Sequence, residues 1–193
     1  MVFQIIGLCL LTLFYGCYFW KMLSQRKRGI DTDQLGKGKQ GVVRTVELLT
    51  KLSTYLVVPV EAVMLCLNVC VLPVWARITG VVLGFLGVVV FALSVVTMGD
   101  SWRAGVPEEA QTKLVTSGIY AWSRNPAFLG FDLLYIGLLL LFFHWGLLVP
   151  TLFAILMLHL QIVNVEEDFL REAFGEQYES YQKQVNRYFG RKG

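Results

Sequence analysis

Five blocks of apolar residues, each close to the length needed to cross a bilayer, constrain this chain more than any other feature. A membrane-spanning helix takes about 20 mostly apolar residues, because once water is gone every backbone polar group must be satisfied within the segment. The blocks fall at residues 2–20, 52–72, 75–98, 127–143 and 147–163. Only His144, Trp145 and Gly146 stand at the break between the last two, which predicts a tight helical hairpin. Composition supports the reading: 55% of the chain is hydrophobic and 16% charged, against about 45–50% and about 25% in soluble domains. The expected fold is therefore all-α, a polytopic membrane protein with five transmembrane helices.

The basic residues orient it. Of the 17 Lys and Arg, all but Arg77 lie between residues 21 and 51, between 103 and 124, or from 171 onward. Cytoplasmic loops carry the excess of Lys and Arg, so these three segments are expected on the cytoplasmic face and the N-terminus outside. The run Gln25-Arg26-Lys27-Arg28-Gly29 then serves as a membrane anchor, and no nucleic-acid partner is expected. The first block lacks a basic n-region and a small-residue cleavage site, so it reads as a retained helix. Cys9, Cys17, Cys66 and Cys70 form no Cys-x-x-Cys pair and lie within spans. They read as packing residues, with no metal site indicated.

Between the first two spans, residues 29–41 are polar and Gly-rich, followed by a short amphipathic stretch, Val42 to Leu52. Gly80, Gly84 and Gly87 recur along the third span. Small residues at that spacing let helices approach closely, and with no strand before them they are not a dinucleotide loop. The tail places Phe169, Leu170, Ala173 and Phe174 at helical spacing, stops at Gly175, and then carries Tyr178, Tyr181, Val185 and Tyr188. This predicts two amphipathic helices against the cytoplasmic face, lying on lipid or covering a site.

Ionisable groups inside a span are costly and usually face a cavity or a partner. Here they are Glu61, Asp132 and His159. Asp132 can reach headgroup water and His159 can be a packing hydrogen bonder, whereas Glu61 sits near mid-span with no nameable partner. Phe128, Asp132 and Tyr135 share one helical face, and His159 shares another with Glu166. If the fourth and fifth helices pack as a hairpin, both faces border one cavity open to the cytoplasm. Glu166 and Glu167 end the fifth span, where the helix dipole disfavours acids, so that pair calls for a positive partner or ligand.

Two motifs carry a resemblance: "LVTSGIYAWSRNPAFLG" at residues 114–130 and, after the hairpin, "EEDFLREAFGEQYESYQKQVNR" at 166–187. Together they resemble the isoprenylcysteine carboxyl methyltransferase family of integral membrane enzymes, over roughly residues 99–187. The resemblance divides the chain into residues 1–98, three spans with a basic loop, and residues 99–193, a cofactor-binding half. It implies S-adenosylmethionine as methyl donor, with Lys113, Leu114, Val115, Gly118, Tyr120, Asn125, Pro126, Phe128 and Glu166 around it. It further implies a lipophilic or prenylated acceptor, here flanked by Asp132, His159 and Ile162, with membrane lipids as the surroundings. Arg103 and Glu166 are the expected catalytic pair. Pro126 suits a helix start, Gly118 a close chain approach, and the rings of Tyr120 and Phe128 a sulfonium cation.

The chain departs from the family pattern at four places. Asn125 replaces His, Phe128 replaces Tyr, Ile162 stands where eukaryotic members have an Arg toward the substrate carboxylate, and Gly105 stands where they have Gln. Arg103 is the nearest replacement for the missing positive charge. Two other readings remain: an NADPH-dependent reductase of the steroid and sterol type, which shares a Pro-containing turn and aromatic tail, and a non-catalytic membrane scaffold.

Overall fold

The computed structural model describes residues 1–106 and 113–192. Among these the chain is all-α, with seven helices and two isolated β-bridges. They are α1 (Val2–Arg26), α2 (Gly41–Leu67), α3 (Val74–Met98), α4 (Pro126–Leu141), α5 (Trp145–Gln161), α6 (Glu167–Phe174) and α7 (Glu176–Gln184). Four helices, Val2–Arg26, Gly41–Leu67, Val74–Ser101 and Trp145–Phe174, are long and apolar enough to cross a membrane. Helix α4 is apolar but has 16 residues, about 24 Å at 1.5 Å per residue, short of the hydrocarbon thickness.

Two expected boundaries shift. Helix α1 runs past Trp20 to Arg26. The amphipathic stretch after Gly41 is continuous with the second span, because nothing between Val42 and Val58 breaks a helix. Glu47, Thr50, Ser53, Val57 and Glu61 fall three to four residues apart, and all are buried on the inward face of α2. Pro59 lies inside the helix, a tolerated position where neighbouring helices restore lost bonding.

The glycines do what their spacing predicts. Helices α3 and α4 meet along a seam where Gly80 faces Gly137 and Gly87 faces Gly130. A Cβ at Gly80 would stand 2.6 Å from the Gly137 carbonyl oxygen, and one at Gly137 2.6 Å from the Gly84 nitrogen. Neither backbone can give way, so only glycine permits this approach. Helix α4 thus packs chiefly on α3, while α5 packs chiefly on α2. The hairpin between α4 and α5 is capped by His144, whose Nδ1 accepts a hydrogen bond from the Gly146 amide at 3.0 Å. Phe14 of α1 stacks on Phe91 of α3 with centroids 4.4 Å apart, at the centre of the main core with Leu10, Leu134 and Leu138.

Helix α5 passes into α6 through a π-helical turn, Ile162–Glu166. That wider turn sends Glu166 and Glu167 to different neighbours.

Candidate functional site

The site begins where α3 ends. Gly118 has φ +58, and a Cβ there would meet Thr97 Cγ2 at 3.0 Å, so a left-handed residue without a side chain lets the chain turn tightly over α3. A 3-10 turn, Gly118–Ala121, follows, and Pro126 opens α4 at a position where its missing amide costs nothing. Tyr120 is buried in this turn, and that burial pushes its phenol well above the usual range.

The tail clasps the turn. Tyr181 of α7 donates its hydroxyl to the Tyr120 carbonyl at 2.6 Å, and Gly190 donates its amide to the Trp122 carbonyl at 2.7 Å. Asn125 Nδ2 donates to the Arg187 carbonyl at 3.2 Å. Glu167 is the hub: Arg187 binds both its oxygens at 2.8 and 2.9 Å, and Arg124 approaches to 3.0 Å. Arg124 also donates to the Tyr178 hydroxyl at 2.9 Å. The Arg187 guanidinium is held above its ordinary range by its hydrogen bonds to Glu167. This supplies the positive partner the acidic pair called for, but only to Glu167. Glu166 points elsewhere.

Two cavities meet beside the clasp. The larger, about 610 Å³, lies between α1 and α2 and reaches α4 and α5; its lining is mostly apolar and includes Tyr15, Tyr18, Tyr55, Pro59, Phe131 and Leu158. Its volume is in the range of small-molecule sites, about 300–1,000 Å³. The smaller, about 110 Å³, is walled by Met98, Tyr120, Arg124, Asn125, Glu166 and Phe169 among others. Trp102, Arg103, Gly105, Ala127 and Phe128 line both, so the two spaces are divided by a single layer of residues. Gln161 of the larger cavity reaches across, its Nε2 3.4 Å from Glu166 Oε1. Arg103 Nη1 donates to the carbonyls of Asp100 and Trp102 at 2.6 and 2.8 Å. Burial at this wall lowers its guanidinium pKa, against the pull of Asp100.

The expected site residues therefore separate into groups. Arg103, Phe128 and Glu166 stand at the junction, with Tyr120 and Asn125 in the smaller cavity. Pro126 is buried at the start of α4. Lys113 and Gly118 are exposed and Val115 half-buried, while Leu114 packs on the tail's Tyr178, Tyr181 and Val185; none of the four lines either cavity. Asp132, His159 and Ile162 also lie outside both linings. His159 Nδ1 is 2.6 Å from the Tyr188 hydroxyl, with the rings stacked, and Ile162 is wholly buried.

Sequence reasoning missed the cavity's other wall. Asp33 and Leu35, in the Gly-rich loop, line it. The loop is pinned there because Gln34 donates its amide to the Ala104 carbonyl at 2.8 Å and Ala104 donates to Thr32 at 2.9 Å. Gln25, fully buried, donates to the Trp102 carbonyl at 3.0 Å and accepts from Thr32 Oγ1 at 2.8 Å. The only local sign was a polar Gln at the inner end of an apolar helix.

Comparison with known proteins gives concordant results. The profile of the family described as phospholipid methyltransferase matches residues 75–177, just over half the chain. The protein-S-isoprenylcysteine O-methyltransferase of Saccharomyces cerevisiae is 33% identical over 110 residues, 56% of this chain and 46% of that protein. The enzyme of the same name from Schizosaccharomyces pombe is 40% identical over 75 residues, 37% of this chain and 30% of its own length. A probable protein-S-isoprenylcysteine O-methyltransferase of Oryza sativa subsp. indica is 31% identical over 109 residues, 55% of this chain and 57% of its own length. The chain spans about half the length, or less, of these curated relatives.

Proposed function

The chain belongs to the phospholipid methyltransferase family, and on that footing we propose that it transfers a methyl group from S-adenosylmethionine to a lipophilic acceptor, the carboxylate of a prenylated cysteine. One observation carries the reading: a large apolar cavity and a small polar one share the wall of Trp102, Arg103, Gly105, Ala127 and Phe128. An apolar acceptor and a charged donor need separate surroundings but adjacent reacting atoms, and this arrangement supplies both.

The residues of the smaller cavity fit the methyl donor. Glu166 offers a carboxylate to hydroxyl or ammonium groups, and Asn125 both a donor and an acceptor. Trp102, Tyr120 and Phe128 bring aromatic rings that attract a sulfonium by about 0.5–2 kcal/mol each. At about 110 Å³ the cavity takes only part of such a molecule as it stands, so loading requires its walls to part. The bound donor supplies an electrophilic methyl: transfer to a carboxylate forms a C–O bond, breaks the C–S bond with its electron pair left on sulfur, and releases no proton. No general base is required of the chain. Phe128 and Trp102 exclude water from the junction, and Arg103 attracts the acceptor's carboxylate to the wall from the apolar side.

On this reading the chain crosses the bilayer five times, with the N-terminus outside and the junction at the cytoplasmic boundary. Helix α4 counts as a crossing despite its length because α3 encloses it along the glycine seam, so it need not meet lipid over its full height. Sixteen of 17 Lys and Arg then lie on one side.

The test is transfer of labelled methyl from S-adenosylmethionine to N-acetyl-S-farnesylcysteine by the full chain in liposomes. An alkali-labile methyl ester is expected. Glu166→Gln should raise the KM for S-adenosylmethionine and Arg103→Gln that for the acceptor, each about 10-fold or more. Absence of ester together with absence of saturable S-adenosylmethionine binding would overturn the proposal.

A further inference from the structure

The clasp carries more positive charge than its own acids answer. Three guanidinium groups, Arg124, Arg171 and Arg187, there meet two carboxylates, Glu167 and Asp168. Arg187 takes both oxygens of Glu167, through Nε at 2.8 Å and Nη2 at 2.9 Å. Arg171 has Asp168 at 2.6 Å. Arg124 is left with a share of Glu167 at 3.0 Å and the neutral Tyr178 hydroxyl at 2.9 Å, both reached by one nitrogen, Nη1. Its Nε has no partner among the described residues. Yet its side chain is only 7% exposed, and it forms part of the wall of the smaller cavity and not of the larger. A buried cation without a counter-ion of its own is costly, and a ligand of opposite charge on the open side relieves that cost.

The neighbouring helix start makes the same demand. No side chain caps the N-terminus of α4, because the Asn125 amide group is spent on the Arg187 carbonyl at 3.2 Å. The first bond of the helix runs from the Leu129 amide to the Asn125 carbonyl at 3.1 Å. The amides of Ala127 and Phe128, one turn too early, therefore have no acceptor within the helix. Both residues line the smaller cavity with Arg124. Free first-turn amides and the positive end of the helix dipole favour an anion.

We infer that Arg124 and the first-turn amides of α4 bind the carboxylate at the amino-acid end of the methyl donor. This rests on reading the smaller cavity as the donor's. The acceptor's carboxylate is not the occupant, since Arg124 lines only the smaller space, whereas Arg103 lines both. A purely anionic ligand such as phosphate fits poorly, because Glu166 lines the same small space. The donor's amino-acid end carries both charges side by side, a carboxylate for Arg124 and an ammonium for Glu166. Arg124 then has two tasks: it ties the tail to the turn, and it fixes which way the donor lies.

The experiment is displacement of labelled S-adenosylmethionine from the full chain in nanodiscs by two competitors, S-adenosylmethionine and its decarboxylated form, which keeps the sulfonium and the ammonium. The wild type should bind the carboxylated molecule about 10- to 100-fold more tightly, the worth of a hydrogen-bonded charge. Arg124→Gln should bring the two within about threefold. Arg124→Lys, whose single ammonium can serve Glu167 or the ligand but not both at full strength, should give an intermediate ratio and keeps the proposal testable if the Gln variant does not fold. Arg103→Gln should leave the ratio at its wild-type value. Equal binding of the two competitors by the wild type, or a wild-type ratio in a folded Arg124 variant, overturns the assignment. If S-adenosylmethionine still binds saturably and the ester still forms in that case, the proposed function stands without it. If neither competitor binds and no ester forms, both fall.

Discussion

Glu167 and Glu61 are both carboxylates shut away from solvent, at 1% and 2% exposure. Around Glu167 the chain has placed Arg124, Arg187 and, at 3.5 Å, Arg171, so each oxygen is met by a cation. Neither oxygen of Glu61 has a hydrogen-bond partner among the described residues. The first carboxylate joins the tail to the turn that opens α4. The second is buried on the inward face of α2 and lines neither cavity. The contrast teaches that a buried acid met by cations ties distant segments together here, whereas one without a partner is carried at a cost to stability.

The sharpest way to break that distinction is to remove the two acids in turn. Glu167→Ala strands Arg124, itself 7% exposed in its side chain, and Arg187. Loss of about 3–5 kcal/mol is expected, read as a fall in the thermal or denaturant midpoint, with release of the tail detectable by proteolysis near α7. Glu61→Leu should act in the opposite direction. Replacing an unpartnered buried carboxyl with an apolar group of similar bulk is expected to raise stability by about 1–3 kcal/mol, seen as a higher midpoint in the same assay. If both variants lose stability equally, the distinction fails.

Smaller effects refine it. Tyr181→Phe deletes the 2.6 Å bond to the Tyr120 carbonyl and leaves that oxygen buried. A loss of about 1–2 kcal/mol is expected, with faster amide exchange at residues 118–124 as its local signature. The surface offers the control. Lys37 and Asp31 pair at 2.6 Å, but both are more than half exposed, so Lys37→Ala should change stability by less than about 1 kcal/mol, and still less at high salt.

Much of the frame was legible along the chain. Apolar block length gave the long helices, the Gly80, Gly84 and Gly87 spacing gave the seam, and the Tyr178, Tyr181 and Val185 pattern gave the tail's packed face. Glu166 and Glu167 looked alike because they are adjacent in sequence, yet the π turn sends one into the clasp's charge network and the other into the smaller cavity. Asp132 and His159 were expected beside the acceptor because they share helix faces with Phe128 and Glu166. Helix α4 packs chiefly on α3 and α5 chiefly on α2, and neither residue is in the lining of the two cavities beside the clasp.

By itself, then, the sequence determined everything that depends on neighbours a few residues apart: which segments are helical and apolar, where glycine allows close approach, and where Pro126 and Gly118 set a turn. Hydrophobic periodicity and backbone sterics are local, and they leave a local trace. Only the tertiary structure decided that a Gly-rich loop at residues 33–35, the wall at 102–105 and the start of α4 enclose one space, because those contacts join segments some 70 to 95 residues apart and are set by packing. It likewise decided which buried acid is answered and which is left open, since pairing depends on what the fold brings near and not on what the chain places next.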